Sequence, residues 1–182
     1  MEGKFKTVNS SRVTISQLML PSYTNFSGKI HGGYLLSLLD QIAFACASKY
    51  SGNYCVTASV DTVNFLAPIE VGELVTLKAS VNYVGNSSMI VGIRVEAENI
   101  QTGKIKHCNS SYFTMVAKDE NGKNTKVPGL IIKNQNDVRR YYNCLKQIAT
   151  KKDIDNYEEA FDYMSDEALS ALKNHNVKLE IN

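Results

Sequence analysis

The chain has 182 residues, of which 43% are hydrophobic, so it can bury one sizeable core without help from a metal ion or disulfide bonds. Its formal net charge of +2 is too small to indicate a nucleic-acid-binding protein. No apolar run is long enough to cross a membrane, and the N-terminal segment M-E-G-K-F-K lacks the apolar core of a signal peptide. The four cysteines and three histidines show no metal-binding spacing. We therefore expect a cytoplasmic protein with reduced thiols, no bound metal and no membrane span.

A first strand is predicted at 11–19, and it precedes the most informative segment of the chain, residues 25–40. This segment reads N-F-S-G-K-I-H-G-G-Y-L-L-S-L-L-D. It passes from the amide side chain of Asn25 through a glycine-rich turn into a helix predicted over 33–48. The apolar residues of this helix recur at helical spacing and predict one buried stripe, made of Leu35, Leu38, Leu39, Ile42, Ala43 and Cys46.

Two features of this segment are candidates for chemistry. Asp40 lies beside the apolar stripe, where a carboxylate is either simply solvated or held in a partly dry site and suited to act as a general base. Gly32 and Gly33 either form a tight turn and nothing more, or let another group approach the free N–H donors at the start of the helix. Together with the amide of Asn25, these are the parts that acyl chemistry requires: a positioning group, an oxyanion site and a base.

After the helix, the pattern changes to the alternation of strands. One strand is predicted at 54–66, ended by Pro68, and two long strands at 74–84 and 88–98 are joined by the turn G-N-S-S. The first of these two is predicted to turn one face to the core, formed by Val75, Leu77, Ala79, Val81 and Tyr83. A further strand is predicted at 105–117. One long apolar helix among consecutive strands predicts an α+β protein in which the helix covers an antiparallel sheet.

The C-terminal part of the chain has a different pattern. Two helical stripes are predicted there, the first from Val138, Tyr141, Tyr142, Leu145 and Ile148, the second from Tyr157, Ala160, Phe161 and Met164. Ser165 is predicted to cap a short third helix. We therefore divide the chain into a body, residues 1–130, and a helical C-terminal extension, residues 131–182. The apolar stripe predicts that the helix at about 136–149 packs against the body or a neighbouring subunit.

Three further segments follow residues 25–40 in a characteristic order: V-D-T-V-N-F-L-A-P-I-E-V-G-E at 60–73, V-G-N-S-S-M at 84–89 and Y-F-T-M-V-A-K-D at 112–119. Together, the four segments resemble the hotdog-fold acyl-CoA thioesterases, close to the bacterial YciA type and the brain acyl-CoA hydrolase type. The resemblance covers about residues 10–130. It implies a single hotdog fold, in which a long central helix is wrapped by an antiparallel sheet.

The resemblance also implies an activity, the hydrolysis of acyl-CoA to coenzyme A and a free fatty or other carboxylic acid. Asn25 and Asp40 match the family's catalytic residues, with Asp40 acting as a general base on water or as a nucleophile. The N–H groups around Gly32 and Gly33 would stabilise the oxyanion. No cofactor is implied beyond coenzyme A as part of substrate and product. His31 stands where many members have Phe or His, so no catalytic role is assigned to it.

The turn formed by Gly85, Asn86, Ser87 and Ser88 has two interpretations. It is either a hairpin turn whose small polar residues satisfy the local backbone, or, as the resemblance implies, a contact for the pantetheine or nucleotide part of coenzyme A. The chain contains no second copy of the motifs, and a single hotdog holds only half of the family's active site. The resemblance therefore implies a homodimer in which Asn and Asp come from different subunits, and a trimer of dimers beyond it.

Two other functions compete with hydrolysis. Hotdog dehydratases use a His and a Glu in comparable places, whereas this chain offers Asn25 and Asp40, and an amide cannot take up a proton as His does. A non-enzymatic hotdog module could bind acyl-CoA as a sensor, but no helix-turn-helix with a basic face is evident for a regulator that binds DNA. We therefore expect an enzyme that binds acyl-CoA and neither nucleic acid nor membrane.

Overall fold

The computed structural model describes residues 5–61, 63–160, 162, 164–172, 175 and 177–178, with only the backbone described for 155–160. The elements in chain order are β1 (Phe5–Thr7), α1 (Val8–Ser11), β2 (Val13–Leu18), α2 (Gly32–Ser51), β3 (Tyr54–Val60), β4 (Asn64–Phe65), β5 (Glu73–Val84), β6 (Ser88–Asn99), β7 (Lys104–Lys118), β8 (Gly129–Ile131), α3 (Gln135–Ala160) and α4 (Asp166–Leu172). A short 3₁₀ helix at Pro21–Tyr23 lies between β2 and α2.

An antiparallel sheet forms the frame of the molecule. Its strands are ordered β2-β5-β6-β7-β3, and the short β4 pairs with β7. A separate pair of parallel strands, β1 and β8, joins the N-terminal segment to the segment after β7. The hairpin predicted from the alternating pattern is observed as β5 and β6, and β7 is the next strand of the sheet.

Helix α2 packs against the inner face of this sheet. It begins at an N-cap, His31, and ends at Gly52, whose φ of 79° is a left-handed conformation that glycine adopts without strain. All six residues of the predicted apolar stripe are buried, and Leu39, Ile42 and Cys46 have no exposed surface. Their partners on the sheet include Val75, Leu77, Val91, Val95 and Met115, which belong to the same core. The prediction of a central helix covered by an antiparallel sheet is confirmed.

The predicted facing of Tyr83 is wrong, because β5 contains a bulge. Val81 pairs with Val91 and Tyr83 pairs with Ile90, so Asn82 is an extra residue that reverses the alternation. Tyr83 consequently lies on the outer face of the sheet, where the centroid of its ring is 5.2 Å from the ring centroid of Tyr141.

The predicted strand at 54–66 is interrupted for a similar reason. Val60 pairs with Phe113 and Asn64 pairs with Ser110. Between these two pairs, the predicted strand advances by four residues while β7 advances by only three. The extra residue ends β3 and starts β4 as a separate strand.

The chain divides into two compact units, Met1–Cys144 and Leu145–Asn182. In the first unit, the start of α3 packs on the outer face of the sheet, where Tyr141 meets Tyr83 and Cys144 is fully buried. Residues 131–144 thus lie in the first unit, and the division of the chain into 1–130 and 131–182 stays a prediction. Of the second predicted stripe, Phe161 and the side chains of Tyr157 and Ala160 lie outside the described residues.

Tyr50 anchors the C-terminal end of α2 to the parallel strand pair. Its fully buried ring places the hydroxyl 2.7 Å from the carbonyl oxygen of Gly129, to which it donates a hydrogen bond. The Lys6 ammonium donates to the Tyr50 carbonyl at 2.6 Å. Burial raises the pKa of the Tyr50 hydroxyl to about 12, so the hydroxyl remains a donor at neutral pH.

We expect Tyr50→Phe to lower the free energy of unfolding by about 1–2 kcal/mol, because it removes the hydrogen bond to the carbonyl of the half-buried Gly129 and leaves the ring packing intact. Urea denaturation followed by circular dichroism measures this change. The control is Tyr54→Phe, since the Tyr54 side chain is 64% exposed; its effect should stay within about 0.5 kcal/mol. Equal effects of the two substitutions would contradict the anchoring role of Tyr50.

Candidate active site

The loop before α2 is held in shape by the side chain of Asn25. Its Oδ1 accepts hydrogen bonds from the Ser27 N–H (2.9 Å), the Ser27 hydroxyl (2.8 Å) and the Lys29 N–H (3.1 Å). Gly28 makes the turn with a φ of 77°. The amide oxygen of Asn25 is therefore committed to its own loop. The amide nitrogen donates to no other described residue, so Asn25 can offer an N–H donor to a carbonyl oxygen or a water.

The start of α2 offers one free N–H group rather than two. The Gly33 N–H donates to His31 Nδ1 at 2.9 Å, and the Tyr34 and Leu35 N–H groups donate to the His31 carbonyl. The Gly32 N–H makes no hydrogen bond with a described residue. Of the two predicted oxyanion positions, Gly32 is therefore the one whose donor is available in this conformation, while His31 acts as the helix cap.

Asn25 and Gly32 lie on the wall of an apolar groove of about 390 Å³. Its other walls come from the loop before α2, the first turn of α2, the end of β4 and the segment after β4, namely Lys29, Ile30, Leu35, Phe65, Leu66, Ala67, Pro68 and Ile69. A Cβ atom on Gly32 would lie 3.3 Å from the ring of Phe65, so a larger residue would crowd this wall. A groove of this size and polarity, with two N–H donors on its wall, suits an unbranched chain that carries a carbonyl group.

Asp40 lies two turns further along α2, on the side that faces away from the core. Its Oδ1 accepts a hydrogen bond of 2.5 Å from the hydroxyl of Thr57, which lies on β3. Leu36 and Phe44, one turn before and after it, are 38% and 39% exposed. In the single chain, the carboxylate is exposed and held by one hydroxyl, and not in the partly dry site that the sequence left open as one possibility.

Asn25 and Asp40 are not brought together within one chain. Gly32, near Asn25 on the groove wall, and Asp40 are eight residues apart on α2, which corresponds to about 12 Å along the helix axis. No hydrogen bond joins Asn25 to Asp40 in the described part of the chain, and Asp40 does not line the groove. A single chain therefore presents the two candidate catalytic groups at separate places.

The turn from Gly85 to Ser88 is engaged in the backbone of the fold. The Gly85 N–H donates to the Ser88 carbonyl at 2.8 Å, which closes the hairpin. The carbonyls of Asn86 and Ser87 accept from the N–H groups of Val127 and Ala117. The predicted hairpin turn is thus observed, and a contact with coenzyme A stays a prediction.

Thr57 is the candidate site residue that the sequence analysis missed. It is an exposed polar residue within an alternating strand, and nothing in its local sequence distinguishes it from a solvated threonine. Its significance depends on the packing of β3 beside α2, which joins residues 17 positions apart.

Among the described residues, no helix is long and apolar enough to cross a membrane. Within the same residues, no three His, Cys, Asp or Glu side chains are grouped so that they could hold a metal ion.

The chain has well-defined relatives. The model of the thioesterase superfamily matches residues 27–104. The protein VdlD of Helicobacter pylori is 48% identical over 141 residues, which are 78% of this chain and 80% of VdlD. The crystal structure of an apo-hexameric acyl-CoA thioesterase is 33% identical, with a TM-score of 0.78 over 87% of this chain and 99% of that one.

A third relative is the acyl-CoA hydrolase of Staphylococcus aureus, solved with butyryl coenzyme A, coenzyme A and coenzyme A disulfide. It is 28% identical, with a TM-score of 0.78 over 93% of this chain and 99% of that one. Variants of that enzyme with alanine in place of one Asp, one Asn and one Thr have also been solved. The sequence intervals between those three positions are the same as those that separate Asn25, Asp40 and Thr57 here.

These likenesses extend over most of the chain, and they agree with the observed architecture of one long helix against an antiparallel sheet. The family expected from the four sequence segments is confirmed. The chain belongs to the thioesterase superfamily, as an acyl-CoA thioesterase of the hotdog fold.

Proposed function

We propose that this protein hydrolyses acyl-CoA thioesters at a site formed by Asp40, Thr57, Asn25 and the Gly32 N–H. The observation that carries the proposal is the hydrogen bond from Thr57 to Asp40, which fixes one carboxylate oxygen on an exposed helix face. The second oxygen, Oδ2, accepts from no described residue and is left for a water molecule. The intervals among Asn25, Asp40 and Thr57, shared with the substituted positions of the Staphylococcus aureus enzyme, support the same assignment.

In the proposed reaction, Asp40 removes a proton from water as the water oxygen attacks the thioester carbonyl. The Gly32 N–H stabilises the negative charge that develops on the carbonyl oxygen, and the Asn25 amide N–H orients that oxygen or the water. Collapse of the tetrahedral intermediate breaks the C–S bond. The proton held by Asp40 passes to the departing sulfur, which leaves as coenzyme A, and the acyl group leaves as a carboxylic acid.

We propose that two chains complete each site. Strand β3 ends the sheet order, and an edge strand can pair with a second copy. Apolar side chains lie exposed on this side, among them Phe44 on α2 and Tyr54 on β3, whose ring centroids are 5.6 Å apart in an edge-to-face arrangement. A dimer through this face would cover Asp40 and bring it towards the loop of Asn25 in the partner subunit. The hexameric relative supports a further step, a trimer of dimers.

The backbone of the turn at Gly85–Ser88 would contact the pantetheine or nucleotide part of coenzyme A. No cofactor is proposed beyond coenzyme A as part of the substrate and product, and a cytoplasmic location stays a prediction. The acyl chain would lie in the groove beside Phe65 and Leu66, where exposed apolar surface is available.

We expect Asp40→Asn to lower kcat by at least about 100-fold, the usual scale for losing a general base. The fold should survive because Asp40 is exposed. Release of free thiol from a panel of acyl-CoA thioesters measures the rate, and Asp153→Asn, an exposed position on α3, is the matched control. Near-normal turnover by a folded Asp40→Asn protein would remove Asp40 from the mechanism.

Two substitutions of Thr57, to Val and to Ser, test the effect of its hydroxyl group separately from the effect of its size. Valine keeps the size but cannot donate to Asp40, so we expect kcat to fall by about tenfold, the scale of one hydrogen bond to a charged group. Serine keeps the donor and should retain most of the rate. The comparison is made under saturating substrate, and equal rates for the two variants would show that the hydroxyl does not position the carboxylate.

The two-chain site predicts complementation between inactive variants. Asn25→Ala and Asp40→Asn proteins, mixed under conditions of subunit exchange, should recover part of the activity, because a mixed dimer can hold one site with both native residues. Native mass spectrometry identifies the mixed oligomers, and each variant mixed with itself is the control. If mixed oligomers form and no activity returns, Asn25 and Asp40 act within one chain.

A further inference from the structure

A second cavity lies on the outer face of the sheet, with a volume of about 510 Å³. It is formed by β2, β5, β6 and β7 and by the start of α3, all within the first compact unit. Five of its lining residues are cationic: Arg12, Lys78, Arg94, Arg139 and Arg140. None of the lining residues is Asp or Glu. We call this cavity the basic cleft.

The positive charge of the basic cleft is only partly balanced. Glu96 forms salt bridges with Lys78 (2.6 Å) and Arg94 (2.7 Å), which lower the pKa of its carboxyl group, the bond from Lys78 having the larger effect. No salt bridge joins Arg12, Arg139 or Arg140 to a described residue. Five cations and one carboxylate leave four positive charges around one concave surface. Such a surface attracts anions with more than one negative charge.

Two further carboxylates belong to residues close to the lining of the basic cleft: Asp137, two residues before Arg139, and Asp61, whose N–H donates to the Tyr112 carbonyl at 3.0 Å. Asp137 Oδ2 accepts a hydrogen bond from the side-chain amide of Asn134 at 2.9 Å, as part of the helix cap, while Oδ1 is buried without a hydrogen-bond partner among the described residues. Burial raises the pKa of the Cys144 thiol to about 12, and the charge of the neighbouring Asp61 adds to this effect. Neither carboxylate lines the basic cleft.

The floor of the basic cleft is made of small and hydroxyl-bearing residues. Ser80 and Gly92, which pair across β5 and β6, are small residues of the outer face, and Ser110 and Tyr112 also line the floor. A Cβ atom on Gly92 would overlap the side-chain amide nitrogen of Asn82 and would lie 3.2 Å from the Tyr112 ring, so glycine preserves the packing there. A guanidinium group can bind phosphate oxygens with two parallel hydrogen bonds, and the basic cleft has four such groups in Arg12, Arg94, Arg139 and Arg140.

We propose that the basic cleft binds a phosphorylated small molecule that carries at least two negative charges, such as a diphosphate. The basic cleft shares no lining residue with the groove beside Asn25 and Gly32, so this site is separate from the proposed chemistry. Two sources supply such a group: the nucleotide end of the acyl-CoA substrate, and an independent phosphorylated metabolite. In either case, binding depends on Arg139 and Arg140 and does not depend on Asp40.

The test is calorimetric titration of the full-length protein with pyrophosphate, and then with coenzyme A. The test variant is Arg139→Gln/Arg140→Gln, in which two exposed or half-buried helix positions lose their charge. The control is Lys151→Gln/Lys152→Gln, which removes the same charge from exposed positions of the same helix outside the basic cleft. The titrations are repeated with Asp40→Asn, because binding in the basic cleft does not depend on Asp40. The binding result therefore stands even if the proposed role of Asp40 in hydrolysis is wrong.

We expect saturable pyrophosphate binding to the native protein, unchanged in Asp40→Asn and in the control, and at least about tenfold weaker in the test variant. If coenzyme A competes with pyrophosphate and the test variant raises KM without changing kcat, the source is the nucleotide end of the substrate. If coenzyme A does not compete, the ligand is an independent phosphorylated metabolite. Absence of saturable binding, or equal binding by test and control variants, overturns the proposal.

A subunit interface at the basic cleft is the remaining outcome. Sedimentation velocity of the native protein, the test variant and the control distinguishes it. A smaller oligomer in the test variant alone, together with unchanged pyrophosphate affinity, would mean that the arginines contact a neighbouring chain, and the ligand site would be rejected.

Discussion

The packing of α2 against the inner face of the sheet determines where every candidate functional group lies. Leu39, Ile42 and Cys46 are fully buried in this contact, and burial of large apolar side chains contributes about 1.5–3 kcal/mol each. Because one side of the helix is committed to the sheet, its rotation about its own axis is fixed. The opposite side must then present Asp40 between Leu36 and Phe44. The position of the carboxylate is thus a by-product of core packing.

The same contact gives β3 two roles. Thr57 on this strand holds the carboxylate of Asp40, while the strand also forms the edge of the sheet. An edge strand that pairs with a second copy is held in a fixed register. Assembly through β3 would therefore also hold Thr57 in place, so the proposed oligomer and the orientation of the base depend on the same strand.

The sequence predicted the helix and the long strands of this fold well, because burial imposes a regular spacing of apolar residues along each of them. The apolar stripe of α2 and the alternation in β5 and β6 were both predicted for this reason. The facing of Tyr83 was not, because a bulge at Asn82 depends on the count of residues in the partner strand, which a single strand does not reveal. The role of Thr57 was also missed, since it arises only when β3 lies beside α2.

The basic cleft is a further case in which distant parts of the sequence meet. Lys78 and Arg94 are 16 positions apart in the sequence and become neighbours only through the pairing of β5 with β6. Arg12, Arg139 and Arg140 are added by elements from the two ends of the chain. The weak net charge of the sequence concealed this local concentration, because acidic residues elsewhere offset it.

The N-cap of α2 imposes a choice on its first turn. The Gly33 N–H points to His31 Nδ1, so the imidazole must be in the tautomer that carries its proton on Nε2. Because the Gly33 N–H donates to the capping side chain, it cannot at the same time make a full-strength hydrogen bond with a substrate oxygen. A side chain without an acceptor at this position would release Gly33 and give the oxyanion a second donor, at the cost of a less stable helix start. The identity of one capping residue therefore sets a trade-off between the rigidity of the helix terminus and the strength of the oxyanion site.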